Sequence, residues 1–198
     1  GNAVLSKLLT PKECAALTAL YDARRQATTF RSTVIMARHG FGRGEYKYFA
    51  YPLPKLVAEL RARLYPELVP IANQWNEAMK IATRYPASHD AYLELCHEAG
   101  QTRPTPLLLR YGPSDYNCVH QDLYGAHVFP LQVALLLSAP RRDFEGGELV
   151  MTEQRQVKKL SLTDFPSPPV VAARMRVPKH FDARQAKDRR NLAAAFHS

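Results

Sequence analysis

His120-Gln121-Asp122 is the place in this chain where residue types and spacing name a chemistry. On an extended backbone side chains alternate between two faces, so the His120 imidazole and the Asp122 carboxylate point the same way. Two such ligands plus a distant histidine make a 2-His-1-carboxylate facial triad. That triad suits Fe(II) and leaves positions open for a co-substrate and O2. A His-x-Asp triplet also arises by chance, and alone it reads equally as a hydrogen-bonded surface pair. Its position strengthens it. A strand-like run precedes it, and Tyr124-Gly125 turns the chain into a second apolar run. A jelly roll presents ligands at its mouth in this way.

The third ligand must come from His127, His180 or His197. His127 follows Asp122 too closely to reach a metal from another strand. His197 has no cation after it. His180 is followed, about one strand later, by Arg190, whose planar fork suits the carboxylate of a dicarboxylate co-substrate. The expected triad is therefore His120, Asp122 and His180, with Arg190 as anchor. The competing reading makes His180 an exposed histidine in a basic loop.

These residues need elements to place them. Thr10-Pro11-Lys12-Glu13 is a capping box with proline at the first helical position, and it predicts a helix to about Arg25. Phe30 to Ala37 reads as a strand. Gly40 to Gly44 reads as a flexible loop without the spacing of a dinucleotide site. Pro54 opens a helix carrying Leu56, Val57, Leu60 and Leu64. Pro66 is expected to break it, and another helix to run from Glu67 to Met79 with Leu68, Ile71, Ala72 and Trp75 inward. Ser88 can cap a further helix with Tyr92, Leu95, Cys96 and Ala99 inward and Gly100 as its stop. Strands are expected at Pro106 to Tyr111, Phe129 to Ser138, Glu148 to Thr152 and Leu192 to His197. Helices first and strands later predict an α+β fold in one domain, 1–198. In it, residues 1–100 form a helix-rich support and 101–198 a jelly-roll core.

Composition narrows the setting. The chain has 198 residues, 46% of them hydrophobic, enough for one core. No run of about 18 apolar residues predicts a membrane span, and the first residues lack an apolar signal segment. Cys14, Cys96 and Cys118 fit neither a disulfide framework nor a zinc knuckle, so a reducing cytoplasm is expected. The net charge is +9, with Lys and Arg concentrated between Arg155 and Arg190. That excess is either solvated surface or a footprint for nucleic acid. Phe41, Arg43, Tyr46, Lys47, Tyr48 and Phe49 interleave aromatics with cations. They suit an extruded base and its phosphates, or a strand packing its aromatics on a core. Tyr124, just after the ligands, is expected to face substrate. A monomer is expected.

The chain resembles the Fe(II)/2-oxoglutarate-dependent dioxygenases. Arg110-Tyr111-Gly112-Pro113, six residues, then His120-Gln121-Asp122 is similar to the pattern of the AlkB-like nucleic-acid demethylases. Arg189-Arg190-Asn191-Leu192 looks like that group's anchoring strand. Leu109 departs from it, standing where those proteins carry asparagine, and His180-Phe181-Asp182 replaces their His-Gly-Val. From about Leu8 to Gln154 the chain resembles a bacterial family described as oxygenases acting on damaged DNA. The residues carrying this are Gly42 to Phe49, Arg103 to Leu108, His120 to Gly125, Phe129 to Gln132 and Gly146-Gly147-Glu148. The resemblance implies a double-stranded β-helix holding Fe(II) on His120, Asp122 and His180. It implies 2-oxoglutarate on Arg190 or Arg189, with Tyr111 and Asn191 beside it, and O2 as oxidant. The implied reaction hydroxylates an N-methyl group on a base, which then leaves as formaldehyde. The alternatives are a hydroxylase of a protein side chain or small molecule on the same fold, and a basic nucleic-acid-binding protein without catalysis.

Overall fold

The capping box forms as its spacing predicts. The Thr10 amide and hydroxyl each lie 2.7 Å from Glu13 Oε2, and the Glu13 amide donates to Thr10 Oγ1 at 3.3 Å. It opens the first helix of a computed structural model that describes residues 3–22, 28–120, 125–153, 156–160, 170–174 and 191–196. The elements are β1 (Val4–Ser6), α1 (Pro11–Asp22), β2 (Phe30–Ile35), a 3-10 turn (Met36–His39), β3 (Gly42–Arg43) and β4 (Glu45–Phe49). Then come α2 (Lys55–Ala78), α3 (His89–Glu98), β5 (Leu107–Tyr111), β6 (Tyr116–Asn117) and β7 (Gln132–Leu136). The last are β8 (Leu149–Glu153), β9 (Gln156–Leu160), β10 (Val170–Arg174) and β11 (Asn191–Phe196). No helix among the described residues is long and apolar enough to cross a membrane.

Two expectations about helices are corrected. Pro66 does not break a helix: with Pro70 it lies inside α2, which runs unbroken from Lys55 to Ala78. An interior proline costs roughly 3 kcal/mol. Burying one large apolar side chain returns about 1.5–3 kcal/mol. Val57, Leu60, Tyr65, Val69 and Ala72 are buried along one stripe spanning both prolines, so packing outweighs the lost hydrogen bonds. Ile71 on α2, Leu95 on α3 and Ala99 just after it are exposed instead of facing the core, and Trp75 is half-buried. Ser88 does cap α3, its Oγ accepting from the Ala91 amide at 3.2 Å. Gly100, at φ +80°, follows its end.

The main sheet has seven strands in the order β1-β10-β7-β11-β5-β4-β2, antiparallel throughout. Strands from the first half therefore share a sheet with those of the second, and the helices-first, strands-later division does not describe the assembly. The C-terminal strand β11 lies in the interior, between β7 and β5, not at an edge. Gly40 to Gly44 is no loose loop: it contains β3, which pairs with β6 in a separate two-stranded ribbon, while β8 and β9 form another.

Alternation gives the sheet two unlike faces. Phe49, Leu108, Val133 and Leu135 point to the helices, where they bury against Cys14, Leu17, Tyr21, Val57 and Leu60. The intervening residues Tyr46, Tyr48, Leu109, Tyr111, Gln132 and Ala134 lie on the other face and are half-buried, with Leu107 and Leu136 buried among them.

Candidate active site

Arg110 and Tyr111, neighbours on β5, fall on opposite faces and do different things. Arg110 faces the helices. Its Nη1 donates to Asp22 Oδ1 at 2.7 Å, its Nη2 to Glu45 Oε1, and its guanidinium lies 4.4 Å from the Tyr21 ring centroid. Tyr21 also donates to Glu45, at 3.0 Å. This cluster ties α1 to β4 and β5, so the arginine of the Arg-Tyr pair fixes the strand that carries the tyrosine.

Tyr111 faces away from the helices. Loss of solvent around its hydroxyl pushes the phenol well above its ordinary pKa, partly offset by a hydrogen bond with the Asn117 side chain. It is therefore a protonated donor at neutral pH. Gly44 permits its position: a Cβ there would sit 2.9 Å from Tyr111 Cδ1 and 3.0 Å from the Arg110 carbonyl oxygen. The β5–β11 register sets Asn191 directly across from Tyr111. Two residues expected near the co-substrate, far apart in sequence, are thus paired across neighbouring strands.

From Tyr111 the chain reverses through a turn closed by two bonds. The Gly112 amide donates to Asp115 Oδ2 at 2.6 Å, and the Asp115 amide to the Gly112 carbonyl at 3.1 Å. It then pairs as β6 with β3, and the Cys118 amide donates to the Phe41 carbonyl at 2.8 Å. Gly42, at φ +118°, permits this approach, since a Cβ there would strike the Tyr116 carbonyl.

His120 follows, exposed, with Nδ1 2.7 Å from the Cys118 carbonyl oxygen. A carbonyl can only accept, so Nδ1 carries a proton, and in the neutral imidazole Nε2 then has the lone pair. That tautomer is the one a metal-ligating histidine adopts when its other nitrogen is held by the backbone. After the expected ligands the chain is pinned again. The Gln101 side chain donates to the His127 carbonyl at 3.0 Å and accepts from the His127 amide at 2.7 Å.

Asp122, Tyr124, His180, Arg189 and Arg190 lie outside the described residues. Among the described residues no group of three or more His, Cys, Asp or Glu is placed to hold a metal. Of the residues expected to meet substrate, Tyr46 and Tyr48 share the Tyr111 face and pack edge to face, centroids 5.5 Å apart. Arg31 caps the Tyr48 ring at 4.2 Å. Lys47 does not join them: it points to the helices, where Nζ donates to the Tyr21 carbonyl at 2.7 Å and lies 4.2 Å from the Tyr21 ring centroid. Arg43 stands on the exposed ribbon. Sequence reasoning missed Asn117 and Gly44, whose part depends on strand pairing.

The family described as "Oxygenase, catalysing oxidative methylation of damaged DNA" matches residues 44–164, more than half of the chain. A HelY-like SH3 domain family matches residues 131–198. Within that stretch β7, β10 and β11 are joined to β1 and β5 of the main sheet, which a separate SH3 barrel would not allow. Two uncharacterized proteins of Mycobacterium tuberculosis strains are each 49% identical over 107 residues, covering 54% of this chain and 46% of theirs. The chain spans about half the length of these relatives. A crystal structure of a Pseudomonas putida prolyl-4-hydroxylase superposes with a TM-score of 0.55 at 13% identity, covering 100% of this chain and 91% of that one.

Proposed function

The chain belongs to the Oxygenase-NA family, and from that premise we propose an Fe(II)- and 2-oxoglutarate-dependent dioxygenase that dealkylates N-methylated bases in DNA or RNA. The fold shared with a prolyl-4-hydroxylase supports a single-domain jelly roll. The observation that carries the reading is His120, whose Nδ1 donates to the Cys118 carbonyl, which makes Nε2 the lone-pair nitrogen of the neutral ring. This donor fits an Fe(II) ligand, and in the proposal Asp122 and His180 complete the triad. Tyr111 and Asn191, paired across β5 and β11, fit the flank of a dicarboxylate whose far end Arg190 or Arg189 would hold.

Bound together, Fe(II) and 2-oxoglutarate supply oxidation of a substrate C–H bond by O2. The protein's own part is placement. Arg110 locks β5 against α1 and so fixes the direction of Tyr111. Tyr111, kept protonated, donates a hydrogen bond without adding charge. Tyr46 and Tyr48 give the same face an aromatic wall, and the Gln101 clamp on His127 fixes where the chain re-enters after the ligands.

The test is formaldehyde and succinate release from an N-methylated oligonucleotide with Fe(II), 2-oxoglutarate and O2. Stoichiometric release of both is expected. Succinate without formaldehyde from any N-methylated DNA or RNA rejects base dealkylation in favour of protein or small-molecule hydroxylation. Absence of both under every substrate rejects the enzyme.

A further inference from the structure

The β3–β6 ribbon has one exposed and one half-buried side, and the exposed side leads to His120. Arg43 pairs directly with Tyr116, and Gly42 with Asn117. Alternation therefore sets Phe41, Arg43, Tyr116 and Cys118 on one side. All four are exposed, whereas Gly42, Asn117 and Val119 between them are half-buried. Phe41 and Tyr116 expose 45% and 43% of their surface, unusual for large rings on a paired strand. Phe41 is stacked on His39, centroids 5.4 Å apart and planes 22° apart, so its ring is held rather than loose. An extended chain rises about 3.3 Å per residue, so Tyr116 lies at most about 13 Å from His120.

The charge carried by the ribbon itself is positive. Arg38, His39 and Arg43 are exposed beside Phe41, and neither 36–44 nor 116–120 contains an acid. The bordering carboxylates are engaged, Glu45 by Tyr21 and Arg110, and Asp115 by the Gly112 amide. Exposed rings interleaved with cations match stacked bases on a phosphate backbone. An apolar peptide would use the rings and leave the cations unmatched.

We propose that this side of the ribbon is a platform for single-stranded nucleic acid: Phe41 and Tyr116 stack bases next to the one presented at His120, and Arg43 with Arg38 neutralises phosphates. The proposal rests on the nucleic-acid reading above and adds the binding surface to it.

Fluorescence anisotropy with a fluorescein-labelled oligothymidylate tests it on the full chain. Phe41→Ala and Tyr116→Ala should each weaken binding on the order of tenfold, as expected for loss of base–aromatic stacking. Phe41→Trp should keep the affinity, and Phe41→Leu, which keeps apolar bulk without a π face, should lose it like alanine. Arg43→Ala should flatten the slope of log affinity against log salt by about 0.7, one phosphate contact on a single strand. Phe41→Leu binding as tightly as the wild type, or an unchanged salt slope in Arg43→Ala, overturns the platform. If the wild type releases formaldehyde while the aromatic variants bind normally, the platform fails and the function stands. If it releases none, and the aromatic variants lose a proline-rich peptide instead of the oligonucleotide, both fail.

Discussion

The two faces of the main sheet divide the molecule's work. On the helix face, Phe49, Leu108 and Leu135 are fully buried against α1 and α2, and even the charged groups, Arg110 and Lys47, serve to hold α1. The other face is mixed: Leu107 and Leu136 are buried there, while Tyr46, Tyr48, Tyr111 and Gln132, with their hydroxyls and amide, are half-buried. Apolar burial against the helices dominates one side, while the other keeps polar side chains half-buried among its apolar ones. A substitution should therefore cost stability or chemistry according to the face it occupies.

The largest effect expected is on chemistry alone. His120→Ala should lower succinate formation by at least about a hundredfold, the upper range for a metal site that loses even a supporting contact. Its urea midpoint should stay near wild type, since His120 is exposed. Retained turnover would remove His120 from the metal site.

Next comes a matched pair on one strand. Leu108→Ala should destabilise by about 2–5 kcal/mol, the usual range for emptying a buried leucine site, because Leu108 is fully buried in the helix-side core. Leu109→Ala, half-buried on the other face, should cost less than half as much. Equal shifts in urea unfolding would mean that the faces are packed alike.

A smaller effect lies in the helix layer. His89 is pushed down to about 4, chiefly by burial and also by the Arg61 guanidinium, against an ordinary value near 6.5. Its imidazole is neutral in the folded chain, and the unfolded chain binds the extra proton. Stability is thus fully present above about pH 6.5 and falls as pH drops toward 4. Discounted for partial exposure, the loss is on the order of 1–2 kcal/mol. Thermal unfolding across that range should show it, and His89→Leu should flatten the profile without changing the 2-oxoglutarate requirement.

The smallest is the cap of α3. Ser88→Ala removes the bond to the Ala91 amide and should cost about 1 kcal/mol in urea unfolding, with turnover unchanged. A fall in turnover would tie α3 to the site face and blur the division.

Some of this was legible in sequence because it is local. The Thr10–Glu13 box, the Ser88 cap and the Gly100 stop all rest on contacts within a few residues. The unbroken α2 was not, because a proline's cost is local and the burial that outweighs it is not. Nor were β1 and β10, short strands whose hydrogen bonds come from distant partners. The site followed the same rule. Alternation predicted that His120 and Asp122 share a side, and composition left a polyanion and a merely solvated surface both open. Whether Lys47 or Tyr48 meets substrate could not be read, because an alternating strand does not say which side the helices will cover.

What the sequence by itself determined is the chemistry on offer: an imidazole–carboxylate pair, a tyrosine and an arginine pair at characteristic spacing, and an excess of positive charge. Side-chain type and period-two geometry are properties of the chain alone. Tertiary structure decided which of those groups meet. Pairing across β5 and β11 put Asn191 beside Tyr111, helix burial claimed Arg110 and Lys47 for the core side, and the β3–β6 ribbon left Phe41 and Tyr116 in solvent. Each outcome depends on strand register and on the face a helix covers, which arise only when distant segments bury apolar surface together.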